Sequence, residues 1–325
     1  MVGSKAVLTV RRVLFGFLLA HSVWGASVFS AVDVNTVTNR RVGPGDQGSG
    51  VTRAQILLDR AHFSPGEITG QYNDNLRVAI LGYQSANRLQ PSGVVEGLMW
   101  QMLNRDFETP LMVYVLRIED VRGPFVRAPK DAVRMAGMDW LGFDSPQQEL
   151  GEMFHISPRL LAELNPGVNF HKAGERIQVP RVQRNVQLVA SRIVVSRGNG
   201  TVTSIGPSGR PIAQYPATIG SRQDPFTPGQ FEVSAVEFSP VFYYNPTRFW
   251  NGTSLDAAAR IAPGPKNPAG TVWIGISKLH YGFHGTPWPE RVGMAEDKGC
   301  IRMTNWDAME LSGSVYRGMT VELRD

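Results

Sequence analysis

Apolar residues between positions 51 and 107 recur three and four positions apart, which places them on one face of a helix. A turn-rich stretch at 64–70 separates the first two apolar stripes, and Asn73 or Asp74 is suited to cap the second helix. The pattern predicts a small all-α module of three short helices. The stripes consist of Ile56, Leu57, Ala61, Leu76, Ala79, Ile80, Tyr83, Leu89, Leu98, Met99 and Leu103.

Residues 185–325 have a different pattern. Short runs rich in β-branched and aromatic residues alternate with Gly, Pro, Asn and Ser, which is typical of an antiparallel sheet. We predict a mainly-β domain, built as a sheet sandwich or barrel. Thr304 and Asp307 have the spacing of a capping box and predict one helix after it. The β-rich runs are 186–189, 193–195, 202–205, 212–219 and 231–236.

Residues 108–184 are less regular and predict an α+β connector. A strand is expected at 111–119, and a helical run follows after Pro146. That run leads to Asn165-Pro166, and the segment ends on Ile177-x-Val179-Pro180.

The first 27 residues predict an export signal. Lys5, Arg11 and Arg12 precede the apolar run 13–20, and small residues follow at 25–27. The alternative is an uncleaved N-terminal anchor, which would be the chain's only membrane contact. With either reading, the rest of the chain lies outside the cytoplasm, in the periplasm or cell wall. Residues 28–50, rich in Asn, Thr, Gly and Arg, predict a flexible tether.

Composition argues for a folded protein without a nucleic-acid partner. Charged residues make up 19% and hydrophobic residues 42% of the chain, as in ordinary globular proteins. The formal net charge is +5, but three of these charges belong to Lys5, Arg11 and Arg12, which leaves +2. No run of Lys and Arg with interleaved aromatic residues marks a phosphate-binding surface.

The single cysteine, Cys300, is the first candidate for chemistry. A lone thiol in an oxidising compartment is either buried and inert or used as a nucleophile. Gly299 before it allows close approach of a substrate, and His284 lies sixteen residues earlier. Gly282 and Gly285 around that histidine predict a bend that carries the imidazole to the surface. Cys300 and His284 together predict a nucleophile and its base.

Two other readings of these residues remain. Cys300, His284, His280 and Asp297 could hold zinc, but their spacing matches no standard ligand pattern. His280 alone is more typical of a packing or hydrogen-bonding residue.

The C-terminal motifs resemble those of a known enzyme family. The segments His-Gly-Thr-Pro at 284–287 and Gly-Cys-Ile-Arg-Met-Thr-Asn at 299–305 are similar to the signature of L,D-transpeptidases. The resemblance implies a β-rich catalytic domain over 185–325 that remodels peptidoglycan, without a metal or cofactor. Further family-like phrases are Tyr215-Pro216, Ile219-Gly220, Thr227-Pro228-Gly229, Tyr244-Asn245-Pro246, Gly264-Pro265, Asn267-Pro268 and Trp273-Ile274-Gly275.

The resemblance also implies residue roles. Cys300 would form a thioester with the stem peptide and release D-alanine, and His284 would accept the thiol proton. The backbone amides of Gly299 and Cys300 would bind the oxyanion, and the Gly285 carbonyl would orient the imidazole.

Three residues are predicted to bind substrate: Arg302, Tyr281 and Lys298. The Arg302 guanidinium suits a carboxylate, although a structural ion pair is the alternative. The family usually has Ser-His before Gly-Cys, whereas this chain has Asp297-Lys298. Any role of that second histidine is therefore missing, and a cationic neighbour such as Lys298 can lower the pKa of a thiol.

The upstream modules carry weaker resemblances. Residues 51–107 resemble the three-helix peptidoglycan-binding domain through Gly66-x-Ile68-x-Gly70-x-Tyr72 and Gly93-Val94-Val95-Glu96. Residues 108–184 resemble the second half of a LysM sugar-binding motif, and a structured connector is the alternative. The acceptor amine could belong to a neighbouring stem or a wall-attached lipoprotein. The rival functions are a cysteine L,D-carboxypeptidase or amidase, and a non-catalytic wall-binding protein.

Overall fold

Residues 29–50 pack against the helical module, so the expected flexible tether is wrong for this segment. A computed structural model describes residues 29–183, 187–220, 227–246, 257–294 and 300–325; the predicted signal at 1–27 lies outside them. Helix α1, Ala31–Asn35, is capped by Ser30, and its Val34 is fully buried. Val42 exchanges two backbone hydrogen bonds with Val95, at 3.0 and 2.9 Å. These isolated apolar residues lack the periodicity that would have predicted their burial.

Three helices follow, as the apolar stripes predict. They are α2, Ser49–Arg60; α3, Asp74–Ala86; and α4, Gly97–Leu103. Asn73 caps α3, because its side-chain oxygen accepts a hydrogen bond from the Leu76 amide at 2.9 Å. Ile80 and Trp100 are fully buried in the core between the helices.

The connector is a two-stranded antiparallel sheet with helices between its strands. The predicted strand at 111–119 ends at Val115, because the Arg117 amide donates to the Asp120 carboxylate at 2.7 Å and starts a helix. Ile56 and Ile68 of the helical module belong to the same core as the connector. The elements are β1, Leu111–Val115; α5, Ile118–Arg122; α6, Ala132–Met135; α7, Pro146–Met153; α8, Pro158–Leu164; and β2, Arg176–Pro180.

The C-terminal domain is built on a nine-stranded sheet, with a separate pair formed by β8 and β9. Its core includes the fully buried Tyr215 and Phe283. Helix α9, Asn305–Ser312, packs on the sheet and is capped by Thr304, as predicted. The strands are β3, Arg192–Ser196; β4, Thr201–Ile205; β5, Pro211–Pro216; β6, Thr218–Ile219; β7, Gly229–Phe238; β8, Phe242–Tyr244; β9, Ala259–Ile261; β10, Val272–Ile276; β11, Gly282–His284; β12, Ile301–Arg302; and β13, Thr320–Arg324.

The order of the strands closes the sheet. It runs β5-β4-β3-β13-β7-β10-β11-β12-β6, with β13 parallel to β3 and β11 parallel to β12. The two edge strands, β5 and β6, are separated in the chain by Ala217 alone. Because one short segment supplies both edges, the sheet must curl into a barrel-like shape, which agrees with the expected mainly-β domain.

One expected strand is absent. Residues 187–189 of the run 186–189 form no strand, and Val189 is 66% exposed. Residues with high β-propensity do not form a strand unless a neighbouring strand can pair with them through backbone hydrogen bonds. In the part of the chain that the structure describes, no helix has both the length and the hydrophobicity needed to cross a membrane.

The helical module covers one edge of the barrel. The Ser64 amide donates to the Gln214 carbonyl, and the Gln214 amide donates to the His62 carbonyl, each at 2.8 Å. The Gln214 side chain also donates to the Val78 carbonyl at 2.9 Å. Edge strand β5 is therefore paired with the module instead of being exposed to other chains.

Candidate functional site

The predicted site residues meet at the parallel pair β11–β12. In its register His284 lies opposite Arg302, and Phe283 lies opposite Ile301. Phe283 and Ile301 are fully buried in the domain core. Since side chains alternate along a strand, His284 and Arg302 project from the other face of the sheet.

Cys300 immediately precedes β12 and continues its ladder, because the Gly220 amide donates to the Cys300 carbonyl at 3.1 Å. Cys300 is two residues before Arg302, so alternation places it on the same face as His284. With a strand spacing of about 4.8 Å and a rise of about 3.3 Å per residue, their Cα atoms lie about 8 Å apart. Cys and His side chains can meet across that distance.

The Cys300 side chain is half-buried. Its Sγ donates a hydrogen bond to the carbonyl oxygen of His280 at 3.7 Å. His280 has a left-handed backbone, with φ of 68°, and its side chain is exposed. His280 therefore contacts the thiol through its backbone carbonyl, and its side chain faces solvent.

His284 is buried in a strand, with 6% of its surface exposed. The prediction of an imidazole carried to the surface by a bend is therefore wrong. Gly282 and Gly285 leave room for neighbouring side chains and do not form the expected bend. The ring's Nδ1 lies 2.7 Å from the carbonyl oxygen of Gly285. A carbonyl only accepts, so Nδ1 carries the proton, and Nε2 of the neutral ring is the basic atom.

Trp273 supports the imidazole from the neighbouring strand. It lies opposite His284 in the antiparallel pair β10–β11, and the two rings stack with centroids 5.7 Å apart and planes 18° apart. A Cβ on Gly282 would lie 2.9 Å from the indole, and one on Gly275 would lie 3.3 Å from it. The two glycines leave room for the indole to lie flat beside the histidine.

Asn305 holds the backbone that follows His284. Its side-chain oxygen accepts from the Thr271 amide at 3.2 Å, and its amide nitrogen donates to the Pro265 carbonyl at 3.2 Å. A Cβ on either Gly285 or Gly270 would overlap that side-chain oxygen. Gly285, whose carbonyl orients the imidazole, therefore packs closely against the first residue of α9.

The remaining predicted residues have different outcomes. Gly299 and Lys298 lie outside the described residues. Tyr281 is half-buried just before β11, and the Lys278 ammonium lies 3.9 Å from the centre of its ring. Arg302 is half-buried in β12. Among the described residues, no three His, Cys, Asp or Glu side chains are grouped as metal ligands; Asp297, part of the zinc hypothesis, is not among them.

A cavity of about 720 Å³ lies where the three modules meet. Its lining does not include His284 or Cys300, but it reaches the loop that follows His284. Burial raises the pKa of Glu67 to about 7, and the neighbouring Glu290 and Glu152 add to the shift. The lining includes Glu67, Gln148, Glu152, Lys266, Trp288, Glu290, Arg291 and Trp306.

Sequence reasoning missed Trp273 and Asn305 as residues of the site. Paired glycines beside an aromatic residue on adjacent strands could have singled out Trp273. Asn305 directly follows Thr304, the predicted cap of α9, so the sequence did place it in the first turn of that helix.

Two protein-family models match separate parts of this chain. The YkuD family model, an L,D-transpeptidase catalytic domain, matches residues 190–323. A second model, "Putative peptidoglycan binding domain", matches residues 47–103. The two matched segments contain the barrel and the three-helix module.

Two curated relatives bear the name of the same family. "Putative L,D-transpeptidase YkuD" from Bacillus licheniformis is 30% identical over 172 residues, covering 52% of this chain and 88% of that protein. Its Bacillus subtilis counterpart is 30% identical over 171 residues, with the same coverage. L,D-transpeptidase 3 from Mycobacterium tuberculosis, solved with a faropenem-derived adduct, is 16% identical, covers 47% of this chain and 75% of that one, and has a TM-score of 0.35. This chain belongs to the YkuD family of L,D-transpeptidases and carries a peptidoglycan-binding domain ahead of its catalytic domain.

Proposed function

We propose that the protein is an L,D-transpeptidase that acts on peptidoglycan stem peptides through a thioester on Cys300. The register of β11 and β12 carries the proposal, because His284 lies opposite Arg302 and the alternation of side chains then assigns Cys300 to the same face. Cys300 attacks the carbonyl between the third stem residue and the terminal D-alanine. The thiol proton passes to Nε2 of His284 and then to the departing D-alanine amine.

The second half of the reaction transfers the acyl group. An acceptor amine gives a proton to Nε2 of His284 and attacks the thioester, which restores the thiolate. The hydrogen bond from Nδ1 to Gly285 supports this role, since it fixes the tautomer and the ring plane. Backbone amides at Gly299 and Cys300 stabilise the oxyanion, a contribution of about 2.7–4 kcal/mol per donor in comparable enzymes.

Substrate contacts are assigned to the same face. Arg302 binds a stem carboxylate, because its guanidinium matches a carboxylate in shape and charge and β12 places it opposite His284. Tyr281, which is half-buried just before β11, and Lys298 are the other residues that we assign to substrate binding. A role for Lys298 in lowering the thiol pKa follows from its charge and position in the sequence.

The upstream modules would hold the enzyme on its substrate. The matched helical domain suits peptidoglycan. We infer that the connector adds a LysM-like sugar-binding segment, on the basis of its Asn165-Pro166 and Ile177-x-Val179-Pro180 phrases. A protein that acts on the wall works in the periplasm or cell wall, which is consistent with an export signal at 1–27. The acceptor could be a stem amine or the lysine of a wall lipoprotein.

The test is mass spectrometry of tetrapeptide stems incubated with the wild-type protein and with Cys300→Ala. The wild type should remove D-alanine and ligate the stem to an added amine, and Cys300→Ala should do neither. His284→Ala should lose activity like Cys300→Ala. The matched control is His280→Asn, which alters a nearby exposed histidine and suits its left-handed backbone.

Two outcomes would favour the rival functions. Trimmed stems without ligation would indicate a carboxypeptidase that uses water as the acceptor. Binding to isolated cell walls, with a Cys300 that resists acylation by a carbapenem, would indicate a wall-binding protein without catalysis.

A further inference from the structure

The cavity of about 720 Å³ is lined by residues of all three modules, and backbone contacts between the modules fix its walls. The Ile68 amide of the helical module donates to the His155 carbonyl of the connector at 2.8 Å. The Leu141 amide of the connector donates to the Pro263 carbonyl of the catalytic domain at 3.0 Å. The packing of the modules therefore forms the cavity, and its volume lies within the range of about 300–1,000 Å³ that is typical of ligand sites.

One wall of the cavity is the segment 287–291, which follows the proposed catalytic base in the chain. Lys266 Nζ donates to the Pro287 carbonyl at 3.0 Å. The Asn75 side chain donates to the Val292 carbonyl at 2.9 Å. The catalytic domain thus fixes one end of this wall and the helical module fixes the other.

The mouth of the cavity has an excess of positive charge. Its exposed charged side chains are those of Arg127, Lys130 and Arg291 and one carboxylate, Glu290. The indole of Trp288 lines the same part of the cavity and is 40% exposed, and the Arg291 guanidinium lies 5.9 Å from the centre of its ring. Cations beside an aromatic surface suit a ligand that carries carboxylates and apolar side chains.

The interior of the cavity has an excess of negative charge. The carboxyls of Glu67, Asp144 and Glu152 are half-buried there, and Lys266 is the cation beside them. Burial raises the pKa of both Glu67 and Glu152 to about 7, and Lys266 offsets only part of each shift. An ammonium group of a ligand would compensate the ionised carboxylates.

The cavity wall formed by α9 contains a buried hydrogen-bond donor. Trp306 lines the cavity, is only 9% exposed, and stacks on the His155 ring of the connector with centroids 5.0 Å apart. In the next position, Asp307 accepts from Ser64 Oγ of the helical module at 2.9 Å, so both upstream modules dock on this helix. Among the described residues, the indole Nε1 of Trp306 has no hydrogen-bond partner. Since buried indole N–H groups usually have an acceptor, an oxygen of a ligand would supply the missing one.

We propose that this cavity is a second peptide-binding site, separate from the catalytic groove, which takes a peptidoglycan stem that carries both an ammonium and carboxylates. The ammonium lies in the acidic interior, and the carboxylates lie against the cations at the mouth. An uncharged sugar would leave both sets of charges uncompensated, so the charges favour the peptide part of the wall. This inference rests on the proposed function for the identity of the peptide, but its binding can be measured without turnover.

The experiment titrates the full-length Cys300→Ala protein with a stem tetrapeptide that has lysine at its third position. The indole N–H signals of Trp288 and Trp306 in NMR spectra should shift and saturate, whereas that of Trp100, fully buried in the helical module, should not move. Acetylation of the lysine amine should weaken binding at least about tenfold, because it removes the charge that compensates the interior carboxylates.

Two variants test the two sets of charges. Glu67→Gln/Glu152→Gln keeps the side-chain shapes and should weaken binding at least about tenfold, with no remaining preference for the free amine. Arg127→Ala/Lys130→Ala changes exposed positions that do not endanger folding and should weaken binding about fivefold, since exposed ion pairs contribute less. The control is Glu149→Gln, which lies on the same helix as Glu152 but outside the cavity lining and should leave the affinity unchanged.

Wild-type protein acylated on Cys300 by a carbapenem should bind the tetrapeptide with the same indole shifts. Loss of binding in the acylated protein, or equal affinity for the acetylated peptide, would overturn the proposal. Indole shifts caused by an uncharged N-acetylglucosamine oligosaccharide and not by the peptide would also overturn it, since the cavity would then be a glycan site. The failure of the proposed function looks different, because wild-type Cys300 would resist acylation while the Cys300→Ala protein still bound the peptide.

Discussion

The candidate site is held from two sides in different ways. On the β11–β12 side, backbone ladders set the positions of Cys300, His284 and Arg302. On the α9 side, the contacts are made by side chains from modules far away in the sequence. The first side forms one continuous sheet, whereas the second is a set of separate contacts.

The difference predicts two kinds of sensitivity. A ladder is formed by main-chain groups, so most substitutions leave it intact and only those that intrude on the catalytic atoms have large effects. Side-chain contacts can be removed one at a time, and each removal should cost a moderate amount of stability or orientation. Substitutions on the two sides should therefore differ in size and in what they affect.

The largest effect is expected for Gly285→Ala. Its Cβ would overlap the Asn305 side-chain oxygen, so the carbonyl that orients His284 must move. We expect Cys300 acylation to slow about 100-fold, measured by mass spectrometry. The control is Gly313→Ala at the other end of α9, where the nearest atom to a new Cβ is 3.5 Å away. Equal acylation rates for both variants would mean that the close packing of Gly285 against Asn305 does not affect the reaction.

Trp273→Ala should have the next largest effect. It removes the indole stacked on the imidazole, so the ring loses one of the contacts that hold its orientation. We expect acylation to slow about tenfold, with Trp273→Phe recovering part of the loss. Trp140→Ala, which removes a 53% exposed indole, should be neutral. A His284 titration curve that is unchanged in Trp273→Ala would contradict the stacking role.

On the α9 side, Ser64→Ala should affect stability more than chemistry. It removes the 2.9 Å hydrogen bond to Asp307 between the helical module and the barrel. Hydrogen bonds to charged groups contribute about 1.5–3 kcal/mol, which denaturant unfolding can measure. Ser85→Ala, at an exposed position in α3, should be silent. If the folded Ser64→Ala variant lost acylation completely, contacts on the α9 side would control chemistry as well as stability.

The smallest effect concerns pH and Glu67. Its folded pKa of about 7 exceeds the ordinary value of 4.5, so the folded state binds the proton more tightly. Stability should therefore fall as pH rises from about 4.5 through 7. Glu67→Gln resembles the protonated form and should raise the melting temperature at pH 8 by about 2–4 °C, with little change at pH 4.5. An identical gain at both pH values would exclude proton linkage as the cause.

Sequence patterns predicted the helices and their caps better than they predicted which residues are buried by tertiary contacts. The three helices, the Asn73 cap and the Thr304 cap were predictable because each depends on residues within one or two turns. The packing of residues 29–50, expected to be a flexible tether, was not predictable from the sequence. Val34 and Val42 are buried by partners elsewhere in the chain. The exposed imidazole was a wrong expectation for the same reason: Gly282 and Gly285 are small to admit Trp273 and Asn305.

The sequence by itself determined the module order, the β-rich character of the C-terminal half and the pairing of Cys300 with His284 as candidate nucleophile and base. Those features depend on local periodicity and on motifs confined to short segments. Tertiary structure alone decided the closure of the sheet, the burial of His284 and the contacts of His155 and Ser64 with α9. The physical reason is that such contacts join groups from distant parts of the chain, and their free energy depends on how the modules pack.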